Sequence, residues 1–126
     1  MNQQPSTKDS TIGEPATMGY YKLKKGDSGK YHWNLHAGNH EIILTSESYN
    51  AKSSAENGIK SCQENSPKDE RYIRKIDARG NPYFVLTAGN SEIIGKSESY
   101  TSESARDNGI ESCKKNGPTT DIKDEA

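Results

Sequence analysis

The sequence has little from which to build a large core. In 126 residues it carries one tryptophan, one phenylalanine and two cysteines. Leucine, isoleucine, valine and phenylalanine together make up about 13% of the chain, below the ~20% at which disorder becomes a live reading. That reading also needs a high net charge, and here 17 basic residues face 18 acidic ones for a formal charge of -1. The balance excludes nucleic-acid binding driven by bulk charge. No window approaches the ~18 apolar residues of a membrane span, so no membrane association is expected. Two cysteines, Cys62 and Cys113, are too few for a secreted disulfide scaffold. No basic segment followed by an apolar one opens the chain, so a cytoplasmic protein with reduced thiols is expected. Residues 1–18 are polar, contain Pro5 and Pro15, show no hydrophobic period and read as a disordered tail.

What is present is a repeat. Sliding the chain by 51 positions aligns residues 29–67 with 80–118, and twenty of the 39 pairs are identical. Chance gives roughly 6%. The matches come as words: Ala37-Gly38-Asn39 with Ala88-Gly89-Asn90, Ser46-Glu47-Ser48-Tyr49 with Ser97-Glu98-Ser99-Tyr100, and Asn57-Gly58-Ile59 with Asn108-Gly109-Ile110. A tandem duplication of about 50 residues follows, a period that must be found before any fold is assigned.

Each unit reads alike. A first strand (20–25 or 71–76) leads through a glycine turn to a second (31–37 or 83–88). Trp33, Leu35 and Ala37 alternate with His32, Asn34 and His36, the period of a half-buried strand. Gly38-Asn39 and Gly89-Asn90 read as hairpin turns whose residues take positive φ. A third strand (41–45 or 92–96) follows. Ala51, Ala55, Ile59 and Cys62 then recur at helical steps. Asn50 and Thr101 are the expected N-caps, and Asn65-Ser66-Pro67 and Asn116-Gly117-Pro118 the expected stops with a left-handed cap residue. Gly58 and Gly109 fall in mid-helix, where glycine costs roughly 1 kcal/mol against alanine, and so predict a close approach of another element. A last strand is expected at 119–123. One unit is too small to fold alone, and two pooling their apolar faces are not. The expectation is an α+β fold of tandem β-β-β-α(-β) repeats sharing one antiparallel sheet, two helices on one face, with an internal pseudo-two-fold. Repeat one would span 19–69 and repeat two 70–123, within one domain, with 124–126 as a tail. The protein would be a monomer holding an intrachain pseudo-dimer.

These words resemble a known family. Gly19-Tyr20-Tyr21, Leu35-x-Ala37-Gly38-Asn39-x-Glu41-Ile42-Ile43, Ser46-Glu47-x-Tyr49 and Pro82-Tyr83-Phe84-x-Leu86 are similar to the YegP-like family of small bacterial proteins. The resemblance covers residues 19 to about 123. It implies paired β(3)-α-β units on one sheet with C-terminal strands exchanged between units. On that pattern residues 70–75 would serve as both the closing strand of unit one and the first strand of unit two. The family is a domain of unknown function, so the resemblance supplies no catalytic residues and no cofactor.

Candidate chemistry is sparse. His32 and His36 share a strand face at about 13 Å, too far for one zinc ion, and read as exposed sheet residues. Ser46, Ser48 and Tyr49, with Ser97, Ser99 and Tyr100, form two identical polar loops. Their first reading is structural, hydroxyls satisfying free amides at the helix starts, and as the alternative they are candidates for ligand binding beside a symmetric cleft. No general base stands at a recognisable spacing from these serines, so catalysis is not expected. Lys22, Lys24, Lys25 and Lys30, with Arg71, Arg74 and Lys75, are basic strand and turn residues. They either guard a sheet edge or, with Tyr31, Tyr83 and His32 stacking bases, bind nucleic acid. The expected function is a non-catalytic binding or interaction module whose open sheet face or inter-unit groove meets a partner that the sequence does not identify. Nucleic-acid binding is the alternative, and a small ligand or reaction at the groove between the repeats a third.

Overall fold

A computed structural model describes residues 19–126, so the expected N-terminal tail lies outside the described residues. Seven strands form one sheet: β1 (Tyr20–Lys25), β2 (Tyr31–His36), β3 (Ile42–Ser46), β4 (Tyr72–Ile76), β5 (Pro82–Thr87), β6 (Ile93–Lys96) and β7 (Ile122–Asp124). Helix α1 (Lys52–Asn65) follows β3, and α2 (Glu103–Asn116) follows β6. The sheet order is β4-β5-β6-β3-β2-β1-β7. Each repeat is thus an antiparallel meander with a helix, as its periodicities require. The meanders meet where Thr45 pairs with Lys96, positions equivalent under the 51-residue repeat. A pseudo-dyad therefore passes through that pair.

The register assigns the faces. Tyr21, Leu35 and Leu44 lie in one row, and Leu23 stands beside Trp33. Tyr72, Leu86 and Gly95 form the matching row of repeat two. These side chains, with Phe84, Ala55, Ile59, Cys62, Ile110 and Cys113, make a single buried cluster beneath the helices. A bulge in each repeat admits one extra apolar residue, Ile43 or Ile94, into the ladder. Both cysteines are buried free thiols, as small core residues are. The mid-helix glycines do mark close approaches. A Cβ on Gly58 would overlap the Tyr49 hydroxyl and come 3.1 Å from Trp33 Nε1. On Gly109 it would meet the Tyr100 hydroxyl and come 3.3 Å from Phe84 Cε2.

Several local expectations are corrected. β7 pairs with β1 in parallel, so the sheet is not wholly antiparallel. Residues 69–71 form a 3-10 turn, and β4 starts at Tyr72 as the first strand of repeat two alone. The chain has no room there to cover its own edge. The N-caps are Ala51, without a side-chain bond, and Ser102, whose Oγ accepts from Ala105 N–H, one residue later than expected. Ser66 and Gly117 close the helices in right-handed conformation. In the second hairpin of each repeat, Ala37 N–H bonds Glu41 O and Ala88 N–H bonds Glu92 O. This five-residue turn places positive φ on its fourth residue, His40 or Ser91, and not on Gly38-Asn39 or Gly89-Asn90. The first hairpins put Gly29 and Gly80 at the same position. Left-handed backbone costs a side-chain-bearing residue about 1–2 kcal/mol, partly offset because glycine loses more entropy on folding. Ser91→Gly is expected to raise the melting temperature by about 4 °C in thermal unfolding.

Glycine also breaks the pseudo-symmetry where the repeats touch. Leu44 and Gly95 are equivalents, and a Cβ on Gly95 would lie 2.8 Å from Leu44 Cγ. Ser66 and Gly117 are equivalents too, and a Cβ on Gly117 would overlap Ser66 Oγ and Cβ. Only one side chain fits at each place on the axis. Gly117 has φ -57, where alanine is ordinarily better than glycine by about 1 kcal/mol. Gly117→Ala is nonetheless expected to destabilise by about 1–3 kcal/mol, the range for overpacking. In a Ser66→Gly background most of that loss should disappear. A denaturant double-mutant cycle with coupling near zero would refute the contact.

Candidate functional site

The two Ser-Glu-Ser-Tyr loops leave β3 and β6 on either side of the dyad. Ser46 Oγ accepts from Trp33 N–H at 2.9 Å and donates to Glu47 O at 2.7 Å. Ser97 Oγ repeats this with Phe84 N–H at 3.0 Å and Glu98 O at 2.7 Å. Both hydroxyls replace a ladder partner where the strand ends, so neither is poised as a nucleophile. Ser99 donates to Asp77 Oδ2 at 2.6 Å, tying its loop to the β4–β5 turn. That bond and turn amides hold the Asp77 carboxyl below the usual carboxylate range. Gly26 occupies the equivalent position in repeat one, which leaves exposed Ser48 without a matching anchor. Tyr49 and Tyr100 are half-buried against the helix glycines. Burial, with Glu98 second, pushes the Tyr100 phenol up to about 12. Burial, with Glu47 second, raises Tyr49. Both therefore remain neutral phenols near pH 7.

Only part of this set gathers at one place. A groove of about 700 Å³ follows the β3–β6 seam, and of the six loop residues only Ser46 and Ser97 line it. Glu41, Glu47 and Glu98 stand in it against Lys96 and His40. Tyr49 lines a separate recess of about 230 Å³ between α1 and the β5–β6 hairpin.

The basic candidates divide between faces. Lys22, Lys24 and Lys75 are paired in register with Asn34, His32 and Tyr83, on the face that the helices leave uncovered. Lys25 lies on the helix side with its Nζ 5.6 Å from the Tyr31 ring centroid, and Lys30 is exposed in the β1–β2 turn. Tyr31 is therefore not on the face of Tyr83 and His32. Arg71 Nε donates to Asn65 Oδ1 at 3.0 Å, and Arg74 Nε to Asp107 Oδ1 at 3.0 Å. Two lysines not singled out by sequence join the uncovered face. Lys96 lies beside Thr45 and 5.1 Å from the Tyr83 centroid, and Lys123 beside Lys22 and 4.8 Å from the Tyr20 centroid. Their sequence signal was weak, because their sides follow only from the β3–β6 and β1–β7 pairings.

The uncovered face is also partly apolar. Ile42, Ile73 and Ile93 are about half exposed, and they pair with His36, Val85 and Thr87. Contrary to expectation, His36 is buried, stacked on Tyr20 at 4.7 Å, with its Nδ1 3.0 Å from His40 O. The Tyr20 hydroxyl lies 3.0 Å from His40 Nδ1. These contacts close one end of the face with rings packed on one another and leave little ring surface for stacking bases. Among the described residues no three His, Cys, Asp or Glu side chains gather as metal ligands. No described helix is long and apolar enough to cross a membrane.

Comparison with known proteins agrees with this geometry. Residues 27–72 and 77–124 each match a family model described as a domain of unknown function, DUF1508. The UPF0339 protein YegP of Yersinia pestis is 54% identical over 107 residues, covering 85% of this chain and 96% of that protein. YegP of Escherichia coli is 45% identical over 106 residues, covering 84% and 96%. A solution structure of a UPF0339 protein from Shewanella oneidensis superposes with a TM-score of 0.81 at 50% identity, over 86% of this chain and 92% of that one. That of E. coli yegP, described as a protein of unknown function, gives 0.83 at 43%, over 89% and 97%.

Proposed function

The chain belongs to the DUF1508 family, whose relatives named above are uncharacterised, and we propose that it is a non-catalytic interaction module. Its uncovered sheet face takes an acidic, partly apolar segment of a protein partner. One observation carries this reading. The strand positions of that face bear Lys22, Lys24, Lys75, Lys96 and Lys123 and, among the described strands, no carboxylate. The chain as a whole has a charge of -1, so these cationic strand positions are a local feature, bordered by Glu125 at 3.9 Å from Lys22, Asp121 at 3.7 Å from Lys123 and the groove carboxylates beside Lys96. Half-exposed isoleucines between the lysines suit a peptide that brings both carboxylates and apolar side chains. The serine hydroxyls committed to backbone bonds support the absence of catalysis. The buried thiols fit a reducing cytoplasm, and the continuous sheet fits a monomer with both repeats in one domain.

Nucleic-acid binding is the second reading, favoured by the cross-strand neighbours Lys24–His32 and Lys75–Tyr83, which set a cation beside a ring. A nitrogen–proton NMR titration separates the two. With a peptide of alternating glutamate and leucine, shifts should map to the five lysines and to Ile42, Ile73 and Ile93. Lys22→Glu/Lys96→Glu/Lys123→Glu should weaken binding at least tenfold. A mixed oligonucleotide pool that shifts the same face, with an effect fading as salt rises, would install the second reading instead. Shifts confined to the groove carboxylates Glu41, Glu47 and Glu98 and their loops, with the five lysines unmoved, would overturn both.

A further inference from the structure

Two copies of one unit should leave an even number of strands, and the sheet has seven. The odd strand is β7. It closes the outer edge of β1 in parallel, with Tyr21 N–H bonded to Asp121 O and Glu125 N–H to Leu23 O. The pseudo-dyad carries β1 onto β4, where no strand lies outside among the described residues. After α1 the chain turns through residues 69–71 directly into β4. Repeat one therefore has no closing strand to give.

The two edges differ as this asymmetry requires. Leu23 is 1% exposed beneath β7, whereas its equivalent Arg74 is exposed. Ile73 and Ile76 on β4 are among the most exposed apolar residues described. Arg74 holds the position whose main chain faces β7 in repeat one, and it has no outer backbone partner among the described residues. Edge strands left in this state template pairing with another chain.

We propose that the outer edge of β4 is a strand-docking site. It takes, in parallel register, an extended segment of a partner protein with an apolar residue beside Tyr72 and a lysine or arginine two residues later. The register is that of β7, where Ile122 lies beside Tyr21. The charge preference comes from positions that differ between repeats. Asp124 of β7 reaches Lys52 at 2.7 Å, and Glu125 lies 3.9 Å from Lys22. Their equivalents beside β4 are Glu103 and Ile73, which call for a cation and an apolar residue, while Arg74, directly beside the cation's position where repeat one has Leu23, has its own charge held by Asp107 at 3.0 Å. The same difference works against a second copy of this chain, whose Asp124 would face Glu103. This site is separate from the sheet face of the proposed function, so either stands without the other.

The test uses the full-length protein and two nine-residue peptides. One has the sequence of residues 118–126, and the other has that sequence with Asp124→Lys and Glu125→Val. The altered peptide should shift the amides of β4 and slow solvent exchange at Arg74 at least tenfold at saturation. It should bind at least tenfold more tightly than the unaltered peptide. Glu103→Lys in the protein should reverse that order. Arg74→Pro removes an outward N–H outside the β4–β5 ladder and should abolish docking. If that variant does not fold, the Glu103→Lys reversal carries the test. β4 amides unmoved at millimolar peptide, equal binding of both peptides, or shifts limited to Lys22, Lys96 and Lys123 would each overturn the site.

Discussion

A chain ending at Pro67 is expected to be unfolded as a monomer, with collapsed amide dispersion and no cooperative thermal transition. The cut removes more than half of the strands. Partners of buried groups go with the second repeat. Tyr21 Oη donates to Gly117 O at 2.6 Å, and Gly19 N–H to Asn116 Oδ1 at 2.8 Å. Leu23 loses β7, and β3 loses β6. A buried polar group left unpaired costs about 1–3 kcal/mol, and a three-stranded meander with one helix has little from which to recover it. Dimerisation would restore a central seam between the two meanders but neither β7 nor the packing. Two copies of repeat one bring Leu44 against Leu44 and Ser66 against Ser66, where the full chain sets each against a glycine. Fragments 1–67 and 68–126 mixed together carry the complementary pairs and should regain the spectrum of the intact protein. Fragment 1–67 with Leu44→Gly/Ser66→Gly should dimerise more readily than its parent. A well-dispersed spectrum at monomer mass from the unmodified fragment would refute the shared core.

How much of this was legible in the sequence depends on the range of the interaction. The repeat, the meanders and the helices are local patterns, and Trp33-Leu35 and Phe84-Leu86 fall on the buried face that their alternation predicts. Gly58 and Gly109 were readable as close contacts, because mid-helix glycine in both copies is unfavourable without one. Which group approaches was not, since Tyr49 and Tyr100 reach the glycines only once their loops turn back over Trp33 and Phe84. The positive φ at His40 and Ser91 was missed because glycine and asparagine stand two and one residues earlier, and the turn geometry outweighs their preference. The parallel β1–β7 pairing depends on contacts about a hundred residues apart, and with it the placement of Lys123. The dyad contacts did leave a trace. At 44/95 and 66/117 only the second copy has glycine, which a repeat alignment shows without saying why. The loop serines were visible as a pair, but a hydroxyl that ends a strand and one that binds a ligand look the same in sequence.

Raising the pH should unfold the intact protein with a midpoint between about pH 10 and 11, because four acids are buried in their neutral forms. Burial drives the Cys113 thiol from 9.0 to about 12. Burial, followed by the nearness of Cys113, raises Cys62 well above the same starting value. Burial likewise lifts the phenols of Tyr21 and Tyr72 far above 10.0. The tyrosines also serve as donors, Tyr21 to Gly117 O and Tyr72 to Ser66 O at 2.7 Å, and an ionised phenol donates nothing. All four folded values lie above the unfolded ones. Their contribution is therefore complete below about pH 9 and falls as pH rises, by about 1.4 kcal/mol per pH unit for each group past its unfolded value. By pH 11 the Cys113 thiol is about two units past its unfolded value and the two phenols about one each, a loss of about 5–6 kcal/mol to which the raised Cys62 thiol adds. That equals the whole stability of many domains of this size. Circular dichroism across the alkaline range gives the midpoint. Cys62→Val/Cys113→Val removes the earlier pair of titrations and should move it up by about one to two pH units. Below pH 9 neither cysteine of the wild type should react with a thiol reagent until denaturant is added. An unchanged midpoint in the double variant, or rapid labelling of the native protein, would place the thiols outside the sealed core.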